Sequence, residues 1–153
     1  MMGMLAASGL SARLRRLELS LSLLGELSGR LTYLQPTTQS LIAALATQER
    51  FGELGFLRGC AAEMGRGEQF SQSWQLALEG EKGALGREEA ALLASLAEVI
   101  GQSDLESQLS AIALVREQLA ERLADQREKM RKQERLYRSM GVLGGVAAAV
   151  ILI

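Results

Sequence analysis

From Ser103 to Met140 the chain contains neither proline nor glycine, so no residue in that interval stops a helix. The run passes directly into Gly141–Ile153, which carries no charged or polar side chain. One long helix is therefore expected, its first half packed on protein and its tip placed in hydrocarbon. Ser103-Asp104-Leu105-Glu106 fits a capping box, with Ser103 accepting a backbone N–H three residues on and Glu106 reaching back. Gly101 suits the left-handed stop of a preceding helix. Leu105, Leu109, Ile112, Val115 (or Arg116), Leu119 and Leu123 recur three or four apart and make one apolar stripe.

Beyond Leu123 that stripe thins. Asp125 to Arg138 holds six basic side chains (Arg127, Lys129, Arg131, Lys132, Arg135, Arg138) against Asp125, Glu128 and Glu134, a local charge of +3. Excess positive charge beside an apolar segment is the pattern of a cytoplasmic membrane flank, and Tyr137 sits where an interfacial aromatic would. Arg127, Arg131, Lys132, Arg135 and Arg138 are the candidate contacts to head groups or a partner. Gly141, Val142, Leu143, Gly144, Gly145, Val146, Val150, Ile151, Leu152 and Ile153 are the candidate anchor. Its thirteen residues span about 20 Å as a helix, short of a hydrocarbon core of about 30 Å, so bilayer thinning or association with other helices is required. Gly141, Gly144 and Gly145 with Ala147–Ala149 form a small-residue face suited to close helix approach, including self-association. Docking of this segment into a soluble core is the competing expectation.

Composition removes several function classes. With 17 basic and 18 acidic residues the net charge is −1, so nucleic acid is not implied. The chain has no histidine, the commonest general base and metal ligand. The single cysteine, Cys60, cannot form an internal disulfide; it lies in an apolar-rich stretch and is expected to be a buried reduced thiol rather than a reactive one. The glycine-spaced segment Gly80–Gly86 does not match a phosphate-binding loop. Carboxylates alternate with Arg and Lys at salt-bridge spacing, and no pair lies in an apolar context. No enzyme, cofactor or metal site is expected.

In chain order, Met1–Leu10 is apolar but too short to span a bilayer and lacks a basic leader for a secretory signal; a remnant of a longer apolar segment, a mis-set start and a frayed helix end are all open readings. A first helix is expected over Ser11–Leu34, with a seam of Leu10, Leu14, Leu17, Leu21, Leu24, Ser28 and Leu31. Arg13, Arg15 and Arg16 form a second basic cluster, read either as a head-group contact or as a solvated face. Gly25 and Gly29 suggest close helix packing. Pro36 ends the helix and Thr37 or Thr38 caps the next, Gln39–Thr47. A third helix, Arg50–Met64, buries Phe51, Leu54, Leu57, Cys60 (or Ala61) and Met64, with its glycines making it the least regular. Phe70, Trp74 and Leu78 mark a fourth, with Trp74 as core anchor. A fifth runs Arg87–Ile100. The expected class is all-α: a five- to six-helix bundle over 11–140, preceded by 1–10 and continued by a long C-terminal helix into a membrane anchor at 141–153.

Two segments carry a resemblance. Ile100-Gly101-Gln102-Ser103-Asp104 with Gln108, and Glu134-Arg135-Leu136-Tyr137-Arg138-Ser139-Met140-Gly141-Val142-Leu143-Gly144-Gly145, resemble the turn and the closing motif of the stage III sporulation protein AB family. Leu31-Thr32-Tyr33 with Pro36-Thr37, and Trp74, are similar to its first helix junction and middle helix. The resemblance covers Leu10–Ile153. It implies a membrane protein of endospore-forming bacteria, part of the channel between mother cell and forespore. It further implies a helical domain similar to the cytoplasmic domains of type II secretion and type IV pilus inner-membrane platform proteins. Such a domain would face the mother-cell cytoplasm and dock a secretion-type ATPase and the complex's membrane subunits. The family's full N-terminal membrane helix has no counterpart in Met1–Leu10. A membrane-tethered helical adaptor unrelated to secretion is the rival expectation.

Overall fold

The computed structural model describes residues 2–152; the side chains of residues 1–8, 10, 137 and 139–153 lie outside that description. Among the described residues there are seven α-helices and no strand. α1 (Met2–Tyr33) is longer than expected, since the apolar residues from Met2 onward continue it without a break. Tyr33 is the last helical residue; Gln35 then takes a positive φ of 44° and Pro36 bars continuation. α2 (Thr38–Ala46) opens on Thr37, whose hydroxyl accepts the Ser40 N–H at 3.2 Å.

The expected third helix is split. A 3-10 turn (Glu49–Phe51) and a break at Gly52–Leu54 precede α3 (Gly55–Gly65), because two glycines three residues apart withdraw helical preference there. The side-chain reading survives the split: Phe51, Leu54, Leu57, Cys60 and Met64 are all buried. α4 (Phe70–Glu79) returns against α3. The glycine-spaced loop contains a short α5 (Lys82–Leu85), and the expected fifth helix is α6 (Arg87–Ala94) followed by a 3-10 turn, Ser95–Glu98. α7 (Leu105–Leu152) runs 48 residues without interruption. At about 1.5 Å per residue that is a rod of about 72 Å.

Trp74 organises the core. Its ring meets Phe56 edge-on (5.4 Å, 89°) and Phe70 at 5.4 Å, and its indole N–H donates to the Leu93 carbonyl at 2.7 Å. α3, α4 and α6 are thereby joined through one side chain whose polar handle is satisfied. Along α1 the buried set is Leu14, Leu17, Ser20, Leu23, Leu24, Leu27 and Leu31. Ser20, Leu23 and Leu27 are buried outside the expected seam, whose Leu21 and Ser28 are half-buried and whose Leu10 lies outside the described side chains. α1 is covered by α7 on one side and by α2 and α5 on others, so its apolar surface is wider than one seam. Ser20 tolerates burial because its hydroxyl donates to the Arg16 carbonyl at 2.8 Å.

The start of α7 differs from the expected capping box. The helix begins at Leu105, and Asp104 is the cap: its carbonyl accepts the Gln108 N–H at 3.0 Å and its carboxylate accepts from the Ser107 hydroxyl and backbone. The Ser107 hydroxyl, above all, holds the Asp104 carboxyl below the usual carboxylate range, with the Ser107 N–H adding to it against slight desolvation. Gln108 is buried and closes the preceding turn. It accepts the Gly101 N–H at 3.2 Å and donates to the Ser103 carbonyl at 2.7 Å. Gly101 has φ 81°, and Thr38 occupies the space a side chain there would need.

Candidate functional site

α1 and α7 are antiparallel. Glu18 pairs with Arg127 and Gly25 faces Arg116, so positions rise along one helix as they fall along the other. Neither glycine is needed for close helix packing: a Gly25 Cβ would stand 3.4 Å from the Arg116 guanidinium, an ordinary contact with the end of a flexible side chain, and Gly29 faces open space. The N-terminal end of α1 and the C-terminal end of α7 therefore point the same way.

Burial stops along α7 in the same direction. Ile112, Val115, Leu119 and Leu123 are buried, Val115 rather than Arg116 filling the position left open by the sequence. Met130 packs partly on the core, and residues 131–136 and 138 are exposed, Leu136 at 62%. Among the expected contact residues, Arg127 is tied to Glu18, and Lys132 lies 3.7 Å from Glu128 on its own helix. Arg131, Arg135 and Arg138 have no carboxylate within ion-pair distance among the described residues. Arg127, Arg131, Lys132 and Arg135, with Ala124 and Glu128, line a groove of about 480 Å³.

The second basic cluster arrives at this end through α1. Arg13 donates to the Gly83 carbonyl at 3.3 Å and Arg15 pairs with Glu53 at 3.1 Å, which brings the Gly52–Gly55 and Gly80–Gly86 connections to the same end. The expected anchor residues, Gly141 to Ile153, lie outside the described residues in their side chains, while their backbone continues α7 to Leu152. Among the described residues no helix is long and apolar enough to cross a membrane.

A buried polar contact escaped the sequence reading. Glu88 and Glu89 open α6, where carboxylates suit the helix dipole. Glu88 is exposed and pairs with Arg122, but Glu89 is buried and accepts the Gln126 amide at 2.9 Å, with Arg122 4.0 Å away. Gln126 Oε1 is itself buried without a partner. Such polar residues have no periodic signature, since only the α6–α7 packing makes them neighbours. Cys60 is buried as expected, and burial pushes its thiol up to about 12, which leaves it protonated and inert at neutral pH. At Glu26 desolvation raises the carboxyl, but Arg30, Gln48 and Arg50 outweigh it and hold the group below its ordinary value; the cluster ties α1 to the α2–α3 connection.

The family model of stage III sporulation protein AB matches residues 1–153. The chain belongs to the stage III sporulation protein AB family. Membership implies a role in stage III of sporulation. No curated protein and no solved structure matches the chain. In this chain the Gln108 side chain accepts from the Gly101 N–H and donates to the Ser103 carbonyl, so the glutamine closes the turn that starts the long helix.

Proposed function

We propose that this chain is a non-catalytic membrane platform subunit of the sporulation channel between mother cell and forespore. Its apolar stretch Gly141–Ile153 lies in the bilayer, and its bundle faces the mother-cell cytoplasm, where it docks the complex's ATPase and membrane subunits. The observation that carries this reading is the continuity of α7. The helix has its last buried side chain at Leu123 and its last partial core contact at Met130, exposes basic side chains to Arg138, and continues unbroken through a charge-free sequence to Leu152. A helix with that order of surfaces suits protein, head groups and hydrocarbon in turn.

The short apolar stretch is accommodated by neighbouring helices against its glycine face and by long basic side chains reaching to the interface. At the opposite end of the bundle Tyr33 and Leu34 are 86% and 65% exposed, an adjacent apolar pair suited to a cytoplasmic partner.

The test is to place Arg at Val146 and Val150 together. Each arginine at mid-membrane costs about 2.5–3.5 kcal/mol on insertion scales. The double variant is expected to leave the membrane fraction, retain its helical circular dichroism and abolish sporulation. Unchanged membrane fractionation would refute the anchor.

A further inference from the structure

We infer that the end of the bundle from which α7 projects is a collar for anionic phospholipid head groups, built from α1 and α7 together. This rests on the reading that Gly141–Ile153 occupies the bilayer. The sequence separates the two basic clusters by more than a hundred residues. Antiparallel pairing of α1 with α7, fixed at Glu18–Arg127 and Gly25–Arg116, puts them at one end. Arg15 and Arg127 are committed to Glu53 and Glu18, and Lys129 and Lys132 lie near Asp125 and Glu128. Arg16, Arg131, Arg135 and Arg138 have no acidic partner among the described residues, Arg13 has only its hydrogen bond to the Gly83 carbonyl, and Glu134 is the remaining acid in the stretch.

Distances along the helix select a lipid surface over an acidic protein. Arg138, Arg135 and Arg131 precede Gly141 by three, six and ten residues. That places them about 5, 9 and 15 Å from the start of the apolar stretch along the axis. Head-group layers extend about 5–8 Å beyond each face of the hydrocarbon, and an arginine side chain bridges several ångströms more. Arg138 and Arg135 therefore lie at head-group depth, and Arg131 lies within a Debye length, about 10 Å, of that surface. The groove of about 480 Å³ beside Arg127, Arg131, Lys132 and Arg135 has room for a phosphate-bearing head group. Anionic lipid would then fix the tilt of the rod, and with it the direction in which Tyr33 and Leu34 are presented.

The test is flotation of the full chain at limiting lipid, with vesicles of phosphatidylcholine alone and of phosphatidylcholine with phosphatidylglycerol. The wild type is expected to partition about a hundredfold more strongly to the anionic vesicles, in a salt-sensitive way. Joint replacement Arg131→Gln, Lys132→Gln and Arg135→Gln should cut that preference at least about tenfold and leave zwitterionic binding intact. Arg131→Lys with Arg135→Lys should keep it, which separates charge from a folding defect. Equal wild-type partition to both vesicles overturns the collar while the anchor stands. Partition to neither overturns the membrane reading itself. A triple glutamine variant that floats like wild type but loses capture of an acidic protein also overturns the collar.

Discussion

Between Leu105 and Leu123, α7 turns a stripe of Ile112, Val115, Leu119 and Leu123 into protein; from Ala124 to Arg138 the same helix turns arginines and lysines into solvent. Nothing in the backbone separates the two halves. The inner half is held by burial, about 1.5–3 kcal/mol for each large side chain. Among the described residues the outer half touches the bundle through Gln126 on Glu89, Arg127 on Glu18 and the partly buried Met130, and otherwise has the pairs Asp125–Lys129 and Glu128–Lys132, at 4.0 and 3.7 Å, each contributing about 0.3–0.5 kcal/mol. Helix propensity and such pairs are marginal support for an extension of this length in water. In the function proposed above, this outer half is the part of the helix that meets head groups rather than protein.

The comparison breaks most readily through paired truncations. Leu119→Ala in the inner half is expected to cost about 2–5 kcal/mol, through lost burial and the cavity left behind. Leu136→Ala in the outer half should stay within about 0.5 kcal/mol, since its side chain is already 62% exposed. Urea titration of both variants decides the matter. A large loss at Leu136 would mean that the outer half docks on protein, and the contrast between the halves would fail.

Where the two halves begin is set by a turn that a smaller perturbation can probe. Gly101 adopts φ 81° and its amide donates to Gln108, while Thr38 fills the adjacent space. Gly101→Ala is expected to cost about 1–3 kcal/mol, from backbone strain plus displacement of Thr38. Thermal unfolding measures it. A neutral result would show that the turn is not pinned and that α7 does not depend on it for register.

How much of this was legible in the sequence varies with the kind of interaction. Apolar periodicity located the α7 stripe, the α4 set of Phe70, Trp74 and Leu78, and the buried Phe51, Leu54, Leu57, Cys60 and Met64, because burial on one helix face leaves a repeat. It placed Leu21 and Ser28 where Ser20 and Leu27 are buried, since a helix covered on several sides has no single seam. Caps were harder. Ser103 and Asp104 both have capping side chains, and the choice of Asp104 depends on which residue leaves the helical conformation first. The Glu89–Gln126 contact and the meeting of the two basic clusters depend on the pairing of distant helices, which no local pattern encodes. The family resemblance supplied what neither periodicity nor charge can, the sporulation context.

The smallest expected effect lies at the boundary of the two halves. Arg127 is the ion pair that ties the first basic turn of the outer half to α1, through Glu18, and both side chains are about half exposed. Screening by water limits such a pair to about 0.2–1 kcal/mol. A double-mutant cycle with Glu18→Gln and Arg127→Gln should return a coupling in that range, reduced by added salt. The residue is nonetheless well placed for a second role, because breaking the pair frees one more arginine for the collar. Glu18→Gln is therefore expected to weaken the fold slightly while strengthening partition to anionic vesicles a few-fold. If the coupling exceeds this range and lipid partition does not change, Arg127 belongs to the inner half, and the boundary between packed and exposed helix shifts outward toward Met130.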